Sequence, residues 1–551
     1  MREKESRVKE SVLMVNVREA IYSALRSMDI NVVFANPGAA ELEFVKNMPS
    51  DFRLILGLHD RVVGGMAVGY AIAKGNAGFV AFDCITSAGS GLSAIIDAHY
   101  CHAPLVITAG EQNVRWRSVE QFASCRMAEM FRPYVKSVYD PRSVEDVPAA
   151  IVGGYQLAVQ PPRGPVLVIL PTGDWNRSCN VPPIPHVIST GAPDPTALET
   201  VVQALESSSK SAIVVGSQIE EDGAWHQVVA LAERLNVDVY EEPKASRWTF
   251  PRRHYLFRGS LLSAQKPLSD QLVNYDTILV IGAPVFLYYA YVPGVTIKSS
   301  TRVFQLTNSP MDAASALAGT SIVGNIAAAV EYICDCVKPV RDDRRSRWSE
   351  PPESAAEYPM TPAYVFSVLS KIMPSNAIIA EEVPSSVGDL YRHVFLDEPG
   401  SFYSVRSGIL GFAMPLAVGL QLARSDRRVL CPVGDGSAQY SIQALWSAAQ
   451  YNTPVLFLLL RNGEYSALRG FRDFTKLGPN VPGLEIPGID AVKIAHGFGL
   501  TAREVDRPED LAPALSEAFA SKNPWLINVN VQRGGHKCMG RDLSVNPPSY
   551  A

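Results

Sequence analysis

Hydrophobic and polar positions alternate in blocks that predict parallel β-sheets covered by helices. Short apolar runs rich in β-branched residues end in Gly, Asn, Asp or Pro, and each is followed by an amphipathic stretch. Continuous apolar runs suit strands that are buried on both faces, which is typical of parallel sheets between helical layers. The runs cover residues 31–35, 78–82, 104–108, 165–170, 211–215, 277–281, 301–305, 376–380, 428–432, 454–460 and 525–530.

Two segments rich in helix and strand breakers divide these runs into three blocks. Residues 180–195 contain five prolines and a glycine, and residues 338–362 mix charges with prolines that include Pro351, Pro352 and Pro359. The pattern predicts three consecutive parallel-sheet α/β domains, over 12–180, 196–338 and 360–532, with a C-terminal tail at 533–551. Ligands of such sheets bind beyond the carboxyl ends of the strands, so the residues that follow each run are the candidates for function.

Composition limits the partners of the chain. Of its 551 residues 47% are hydrophobic and 19% charged, and the formal net charge is -5, which disfavours nucleic acid and anionic membranes as partners. The longest apolar runs are far shorter than the roughly 18 residues that span a bilayer. The charged N-terminus leads into no apolar core, and the eight cysteines lack CxxC spacing. We therefore expect a cytoplasmic protein with reduced thiols.

The strongest chemical signal follows two neighbouring runs. Gly434-Asp435-Gly436-Ser437 follows run 428–432, and Asn462-Gly463-Glu464 follows run 454–460, with helical periodicity over 442–449 between them. This strand–turn–helix–strand unit places Asp435 and Asn462 at the ends of adjacent parallel strands. A carboxylate, an amide oxygen and a backbone carbonyl suit Mg²⁺, and the glycines let backbone N–H groups approach a diphosphate.

This pair of motifs resembles the diphosphate–magnesium motif of the thiamin-diphosphate-dependent enzymes. The resemblance extends from about residue 17 to 531 and is closest to the benzoylformate decarboxylases among 2-oxo-acid decarboxylases and acetolactate-synthase-like enzymes. It implies a pyrimidine-binding N-terminal domain, a Rossmann-like middle domain and a diphosphate-binding C-terminal domain. It also implies active sites between subunits, and hence a homodimer at least, commonly a homotetramer. Matching segments are 36–42, 88–91, 282–286, 408–413 and 444–452.

The resemblance implies roles for residues matched by position. Asp435, Asn462 and the backbone of Glu464 are the expected magnesium ligands. Leu410 is the large residue beneath the cofactor that bends its two rings into a V, and the carbonyl of Gly408 accepts from the 4'-amino group. The expected cofactor contacts are Pro37, Asp60, Gly408, Leu410, Gly434, Gly436, Ser437, Tyr440 and Tyr465.

One departure lies in the segment that activates the cofactor, which matches residues 58–70. The family has a glutamate against N1' of the pyrimidine where this chain has Asp60, preceded by His59. The aspartate side chain is shorter by about 1.5 Å, and a misplacement of about 1 Å can cost on the order of 100-fold in rate. Either the backbone lies closer or a water intervenes. The alternative is that Asp60 caps the following helix and activation is weak or lost.

Further departures lie in the expected substrate pocket. The family's pocket serine falls on Ala39, and its two pocket histidines, which move protons during decarboxylation and aldehyde release, fall on Ile85 and Tyr289. Tyr289 and His59 stay as catalytic candidates beside Asp60. The expected pocket is apolar and aromatic and suits an aryl or medium-length acyl group. Its expected residues are Ala39, Ile85, Phe286, Tyr288, Tyr289, Leu468 and Phe471.

These features favour a thiamin-diphosphate-dependent lyase or carboligase that decarboxylates a 2-oxo acid and passes the acyl group to a second carbonyl, such as an aldehyde or ketone. Three alternatives stay open. They are a simple benzoylformate-type decarboxylase, a flavin-containing acetolactate synthase or oxidase with FAD in the middle domain, and a catalytically silent paralogue. His536 and Cys538 lie in the tail, which is a lid or a disordered end.

Overall fold

The computed structural model describes residues 14–534 except 40, 112–115, 117–118, 120–121, 124–125, 188–190, 290, 341–349 and 352. The chain divides into two compact units, Met1–Ile188 and Ser189–Ala551. The tail with His536 and Cys538 lies outside the described residues.

The first unit contains one six-stranded parallel sheet and a separate two-stranded antiparallel pair. The sheet has the order β3-β2-β4-β5-β7-β6, and β1 pairs with β8. Its central strands are buried on both faces, as their apolar runs require. The strands are β1 Met14–Asn16, β2 Val32–Ala35, β3 Arg53–Leu56, β4 Gly78–Phe82, β5 Leu105–Gly110, β6 Val138–Tyr139, β7 Pro165–Leu170 and β8 Ser178–Asn180.

Helices that cross between these strands cover the sheet. The first begins with a capping box, in which Asn16 accepts from the backbone of Glu19 and the Glu19 carboxylate accepts in return. The helices are α1 Val17–Ser27, α2 Leu42–Val45, α3 Asp60–Lys74, α4 Ile85–Tyr100, α5 Met127–Phe131 and α6 Val147–Val159, with 3₁₀ turns at Arg132–Tyr134 and Val144–Asp146.

The second unit begins with a six-stranded parallel sheet of order β11-β10-β9-β12-β13-β14. An aliphatic core packs between this sheet and its helices. The strands are β9 Ser211–Val215, β10 Asp238–Glu241, β11 Phe257–Ser260, β12 Thr277–Ile281, β13 Arg302–Thr307 and β14 Thr320–Val323. The helices are α7 Pro195–Glu206, α8 Gln218–Glu221, α9 Trp225–Leu235, α10 Gln265–Leu272, α11 Pro310–Ala314 and α12 Ile326–Cys336.

A third six-stranded parallel sheet follows in the same unit, with the order β16-β15-β17-β18-β20-β19. Its strands are β15 Ile378–Glu381, β16 Phe402–Ser404, β17 Val429–Gly434, β18 Leu456–Arg461, β19 Thr501–Val505 and β20 Trp525–Asn530. The helices are α13 Pro362–Ile372, α14 Val387–His393, α15 Ala413–Ala423, α16 Asp435–Ala438, α17 Ala444–Gln450, α18 Ser466–Phe474, α19 Ala491–Gly497 and α20 Pro508–Ala520.

The predicted fold class, three consecutive parallel-sheet α/β layers, is confirmed. Every predicted run lies on a strand. The described residues between Asn180 and Pro195, and those between Cys336 and Pro362, form no helix or strand, as the breaker-rich segments predicted. The pattern missed the strands at the edges of the six-stranded sheets, β3, β6, β11, β14, β16 and β19, and also the interior strand β10 and the pair β1 and β8. Over the described residues, no helix combines the length and apolar character that crossing a membrane requires.

Candidate active site

The glycine turn and the Asn-Gly turn meet at one edge of the third sheet. Strands β17 and β18 are parallel neighbours, and Gly434 is paired with Leu460. Asp435 follows β17 directly and Asn462 follows β18, so both side chains leave the sheet at its carboxyl edge. The spacing in the sequence predicted this meeting.

Asp435 is held in place by backbone donors from both turns. Its Oδ1 accepts from the Gly436 N–H (2.9 Å) and its Oδ2 from the Gly463 N–H (2.7 Å). The side chain is buried, and this burial raises the pKa of the Asp435 carboxyl, while the two N–H groups act in the opposite direction. A buried carboxylate therefore points from one strand end toward the next turn.

The Asn-Gly turn offers the oxygen atoms of a hard-cation site. Asn462 donates through Nδ2 to Ser466 Oγ (3.0 Å), and its Oδ1 accepts from the Glu464 N–H (3.0 Å). The Glu464 carboxylate is engaged by Ser466 and by Arg469 (2.8 Å). The antiparallel bridge beside Glu464 uses the carbonyl of Gly463 and the N–H of Tyr465. The backbone carbonyl of Glu464 is therefore a better metal-ligand candidate than the Glu464 carboxylate, as the sequence predicted.

The two glycines of the first turn differ in the space around them. A Cβ on Gly436 would lie 2.6 Å from the Tyr465 ring, whereas a Cβ on Gly434 would meet nothing nearer than 3.9 Å. Ser437 is buried in the same turn. A tightly packed ring on one side and open space beside Gly434 on the other fit a diphosphate that approaches the backbone.

A second buried carboxylate, Glu382, fixes the turn that carries Gly408 and Leu410. Its two oxygens accept from the N–H groups of Gly411 (2.7 Å), Phe412 (2.7 Å) and Ala413 (2.9 Å). Gly408 and Gly411 have φ of 81° and 87°, in the left-handed region that favours glycine. The turn is thereby held at the start of α15. Glu382 was not predicted, although it directly follows β15 and lies two residues beyond the run 376–380.

These groups line one cavity of about 650 Å³ in the second unit. Tyr288, Tyr289 and Leu468 give it an apolar and aromatic part beside the polar turns. Predicted residues among its lining are Tyr289, Gly408, Leu410, Gly434, Asp435, Gly436, Ser437, Tyr440, Asn462, Glu464, Tyr465 and Leu468. Their convergence on one cavity is typical of a ligand site.

Two predicted pocket residues of the second unit do not line this cavity. Phe286 is 6% exposed and packs in the apolar core beside β12 with Val285, because its side chain turns into the core that surrounds the sheet. Phe471 makes an edge contact with the Tyr289 ring, with centroids 6.1 Å apart, and so supports the wall from behind. The pocket roles of Phe286 and Phe471 stay predictions.

In the first unit, Asp60 is a buried carboxyl at the first turn of α3. Ser87 Oγ donates to its Oδ1. Burial raises the pKa of Asp60, while the bonds from Ser87 and from Asn36 oppose that shift. The helix cap is His59, whose Nδ1 accepts from the Arg61 N–H (3.1 Å). The alternative in which Asp60 itself is the cap was therefore wrong, and His59 has a structural task.

Three other predicted residues lie in the same unit. Pro37 is half-buried after β2, Ala39 is exposed, and Ile85 is half-buried at the start of α4. Two carboxyls at this edge, Glu41 six residues after β2 and Asp83 directly after β4, were not predicted. The position of Asp83 directly beyond a buried strand was the signal that could have found it.

The described residues contain no group of three or more His, Cys, Asp or Glu side chains arranged to hold a metal ion. The candidate set at Asp435, Asn462 and Glu464 has one carboxylate, one amide and one carbonyl, and therefore differs in kind from such a group.

Family models match all three layers of the chain. The thiamine pyrophosphate enzyme N-terminal TPP binding domain matches residues 15–130, the central domain matches 198–333, and the C-terminal TPP binding domain matches 385–529. The three matches cover more than half of the chain and include both turns described above.

Relatives match over nearly the full length. A benzoylformate decarboxylase of Pseudomonas aeruginosa is 39% identical over 94% of this chain and 99% of its own length. An acetolactate synthase large subunit of Haemophilus influenzae is 24% identical over 94% and 95%. The solved 4-hydroxybenzoylformate decarboxylase of Rhodococcus jostii, described as thiamine diphosphate-dependent, has a TM-score of 0.90 at 36% identity, over 94% of this chain and 99% of its own.

Glu382→Gln should loosen the turn at 411–413. The substitution weakens charge-assisted bonds worth about 1.5–3 kcal/mol each, so amide hydrogen exchange there should become at least about tenfold faster. Glu381→Gln is the matched control, because Glu381 accepts from Val383 and Ser404 instead. Equal exchange at 411–413 in both variants and the wild type would show that Glu382 does not hold the turn.

Proposed function

The chain belongs to the thiamine pyrophosphate enzyme family, and on that basis we propose that it decarboxylates a 2-oxo acid and passes the acyl group to a second carbonyl compound. The observation that carries the proposal is the buried Asp435 beside the Asn462 turn at the ends of two adjacent strands. When bound, thiamin diphosphate supplies an electron sink for the bond that loses CO₂.

The chain's own residues bind the cofactor in three places. Asp435, Asn462 and the Glu464 carbonyl would hold Mg²⁺ and, through it, the diphosphate next to residues 434–437. Leu410, on a turn fixed by Glu382, would support the cofactor ring. Asp60 is the carboxyl that holds the pyrimidine, and its burial supports this role, since a hydrogen bond made away from water is strong.

The lining of the cavity favours carboligation over aldehyde release. Tyr288, Tyr289 and Leu468 suit an aryl or medium-length acyl group and include no histidine that could carry a proton. The side chain of Ile85, in the first unit, has no proton that it could transfer. An aldehyde forms only after the substrate carbon takes a proton, whereas attack on a second carbonyl consumes the same carbon without one.

Asp435→Asn tests the metal and diphosphate site. Changes to groups that merely orient metal ligands cost about 10- to 100-fold in affinity, so loss of the charged ligand should weaken magnesium-dependent binding of thiamin diphosphate at least roughly 100-fold. Titration calorimetry measures this directly. Glu485→Gln, a half-exposed acid near the same turn, should bind as the wild type does. Unchanged affinity in Asp435→Asn would remove Asp435 from the site.

We further propose that the active form is at least a homodimer, and a homotetramer as is common in the family. Each cofactor is then held by Asp60 of one chain and Asp435 of another. Mixing inactive Asp60→Ala chains with inactive Asp435→Ala chains should then restore activity, because some sites receive neither substitution. Native mass spectrometry confirms that mixed oligomers have formed. If they form and stay inactive, the sites are not shared.

The ratio of acyloin to aldehyde product tests whether the absence of the two pocket histidines favours carboligation. With a 2-oxo acid and an aldehyde acceptor, acyloin should exceed free aldehyde, since general acid–base help on the proton steps is worth roughly 100- to 10,000-fold and Ile85 gives none. Ile85→His should move the product ratio toward aldehyde, while Ile85→Leu should not. Mass spectrometry of the products reads the ratio. A wild type that makes mainly aldehyde with every acceptor contradicts the proposal.

A further inference from the structure

Two carboxyl groups lie together at the carboxyl edge of the first sheet. Glu41 follows β2 and is 0% exposed, and Asp83 follows β4 and is half-buried. Gly38 shows how tightly this corner is packed, because a Cβ at that position would lie 2.2 Å from the Asp83 carboxyl. Strands β2 and β4 are parallel neighbours, so the two acids share one edge.

Glu41 has few donors for a negative charge. Its Oε2 accepts from the Gly38 N–H at 3.3 Å, and no N–H or hydroxyl group of the described residues donates to its buried Oε1. Asp83 accepts from the Thr86 hydroxyl at 3.3 Å. A buried carboxylate with one long bond beside a second acid is costly, whereas a protonated one is not.

The charged groups around Glu41 act in the same direction. Burial first, and then the charge of Asp83 and the hydrogen bond between the two carboxyls, raise the pKa of Glu41 from 4.5 to about 9. Asp83 is the charged side chain that acts on it, and Asp60 and His59 at the start of α3 occupy the same edge. This raised pKa and the missing donors both favour a protonated Glu41 at neutral pH.

The chain segments that carry this pair also contact the candidate activator, Asp60. Asn36, two residues before Gly38, and Ser87, four residues after Asp83, both hydrogen-bond to Asp60. The proton is thus stored beside the carboxyl that is proposed to hold the cofactor, on the edge where α/β sheets bind ligands.

We propose that Glu41 and Asp83 share one proton and deliver it to the carbonyl oxygen of the substrate under attack. This inference rests on the proposed function. The carboxyl pair would act as the general acid in place of the pocket histidines, whose positions in this chain are Ile85 and Tyr289.

The pair recovers its own proton within one turnover. When the acceptor carbonyl is attacked, the new C–C bond forms, the carbonyl electron pair moves to oxygen, and the Glu41 O–H bond breaks as that oxygen takes the proton. When product leaves, the hydroxyl on the donor carbon would give its proton to the carboxyl pair and become a carbonyl, while the bond from that carbon to thiamin diphosphate would break with its electron pair left on the cofactor. The pair returns to its singly protonated form, the one proton that loss of CO₂ from the 2-oxo acid consumes comes from water, and no oxidant or reductant is needed.

Infrared difference spectroscopy of the full-length protein tests the stored proton without turnover. At neutral pH the wild type should show a protonated-carboxyl band that Glu41→Gln lacks and that disappears as pH rises through about 9. Glu43→Gln is the control, since Glu43 is half-exposed and paired with Arg18. Asp83→Asn should move the titration of the band to lower pH, because the like charge is removed. A Glu41→Gln spectrum identical to the wild type overturns the proposal.

The linkage of this proton to stability gives a second readout. A carboxyl whose pKa is higher in the folded state stabilises the protein below about pH 4.5, and that contribution is lost as pH rises toward 9. Relative to Glu41→Gln, the wild-type unfolding constant should therefore increase about tenfold per pH unit across this window. Parallel pH profiles for the two proteins would contradict a shared proton.

Turnover then tests delivery. Glu41→Gln should reduce acyloin formation at least roughly 100-fold while its affinity for thiamin diphosphate and Mg²⁺ stays at the wild-type level, and Glu43→Gln should be unaffected. Undiminished acyloin formation in Glu41→Gln overturns delivery. If the wild type turns over no 2-oxo acid, the proposed function fails and delivery fails with it, whereas the infrared band still decides whether the pair holds a proton.

Discussion

The carboxylate of Glu382 is the contact on which the site in the second unit depends. Its two oxygens collect three consecutive backbone N–H groups at the start of α15, and its own backbone joins the edge of β17 through Pro432 and Gly434. One residue therefore ties the turn that carries Gly408 and Leu410 to the strand that ends at Asp435. Without that tie, the support for the ring and the support for the diphosphate would move independently.

Buried carboxyls at these strand ends differ in the donors they receive, and this difference separates their tasks. Glu382 receives three N–H groups, which stabilise its ionised form and make it a structural anchor. Asp435 receives two, and its charge is available for a cation. Glu41 receives one long bond and so keeps a proton. The same side-chain chemistry thus provides an anchor, a candidate ligand and an acid.

The sequence was most informative where burial is complete. Runs such as 165–170 and 454–460 are apolar throughout because both faces are covered, and each is a central strand. Edge strands such as β19, with the sequence TAREV, are exposed on part of their surface, so they carry no continuous apolar run. The Asp435 and Asn462 turns were predictable because a fixed strand–helix–strand unit brings them together within a short stretch of chain.

The residues that were missed depend on contacts between distant positions. Glu381 and Glu382 are adjacent acids, and nothing in their order tells which one meets residues 411–413. Glu41 and Asp83 belong to loops far apart in sequence, and only the pairing of β2 with β4 brings them together. Phe286 was predicted to line the pocket by position, and its ring packs in the apolar core.

The central claim is that Asp60, one carbon shorter than the family's glutamate, still activates thiamin diphosphate. The most direct measurement is the rate of deuterium exchange at C2 of the cofactor bound to the wild type and to Asp60→Asn, which keeps the side-chain shape. Exchange far faster than in free cofactor, and slowed at least roughly 100-fold in Asp60→Asn, is the expected result. Exchange on the wild type no faster than in free solution would contradict the account.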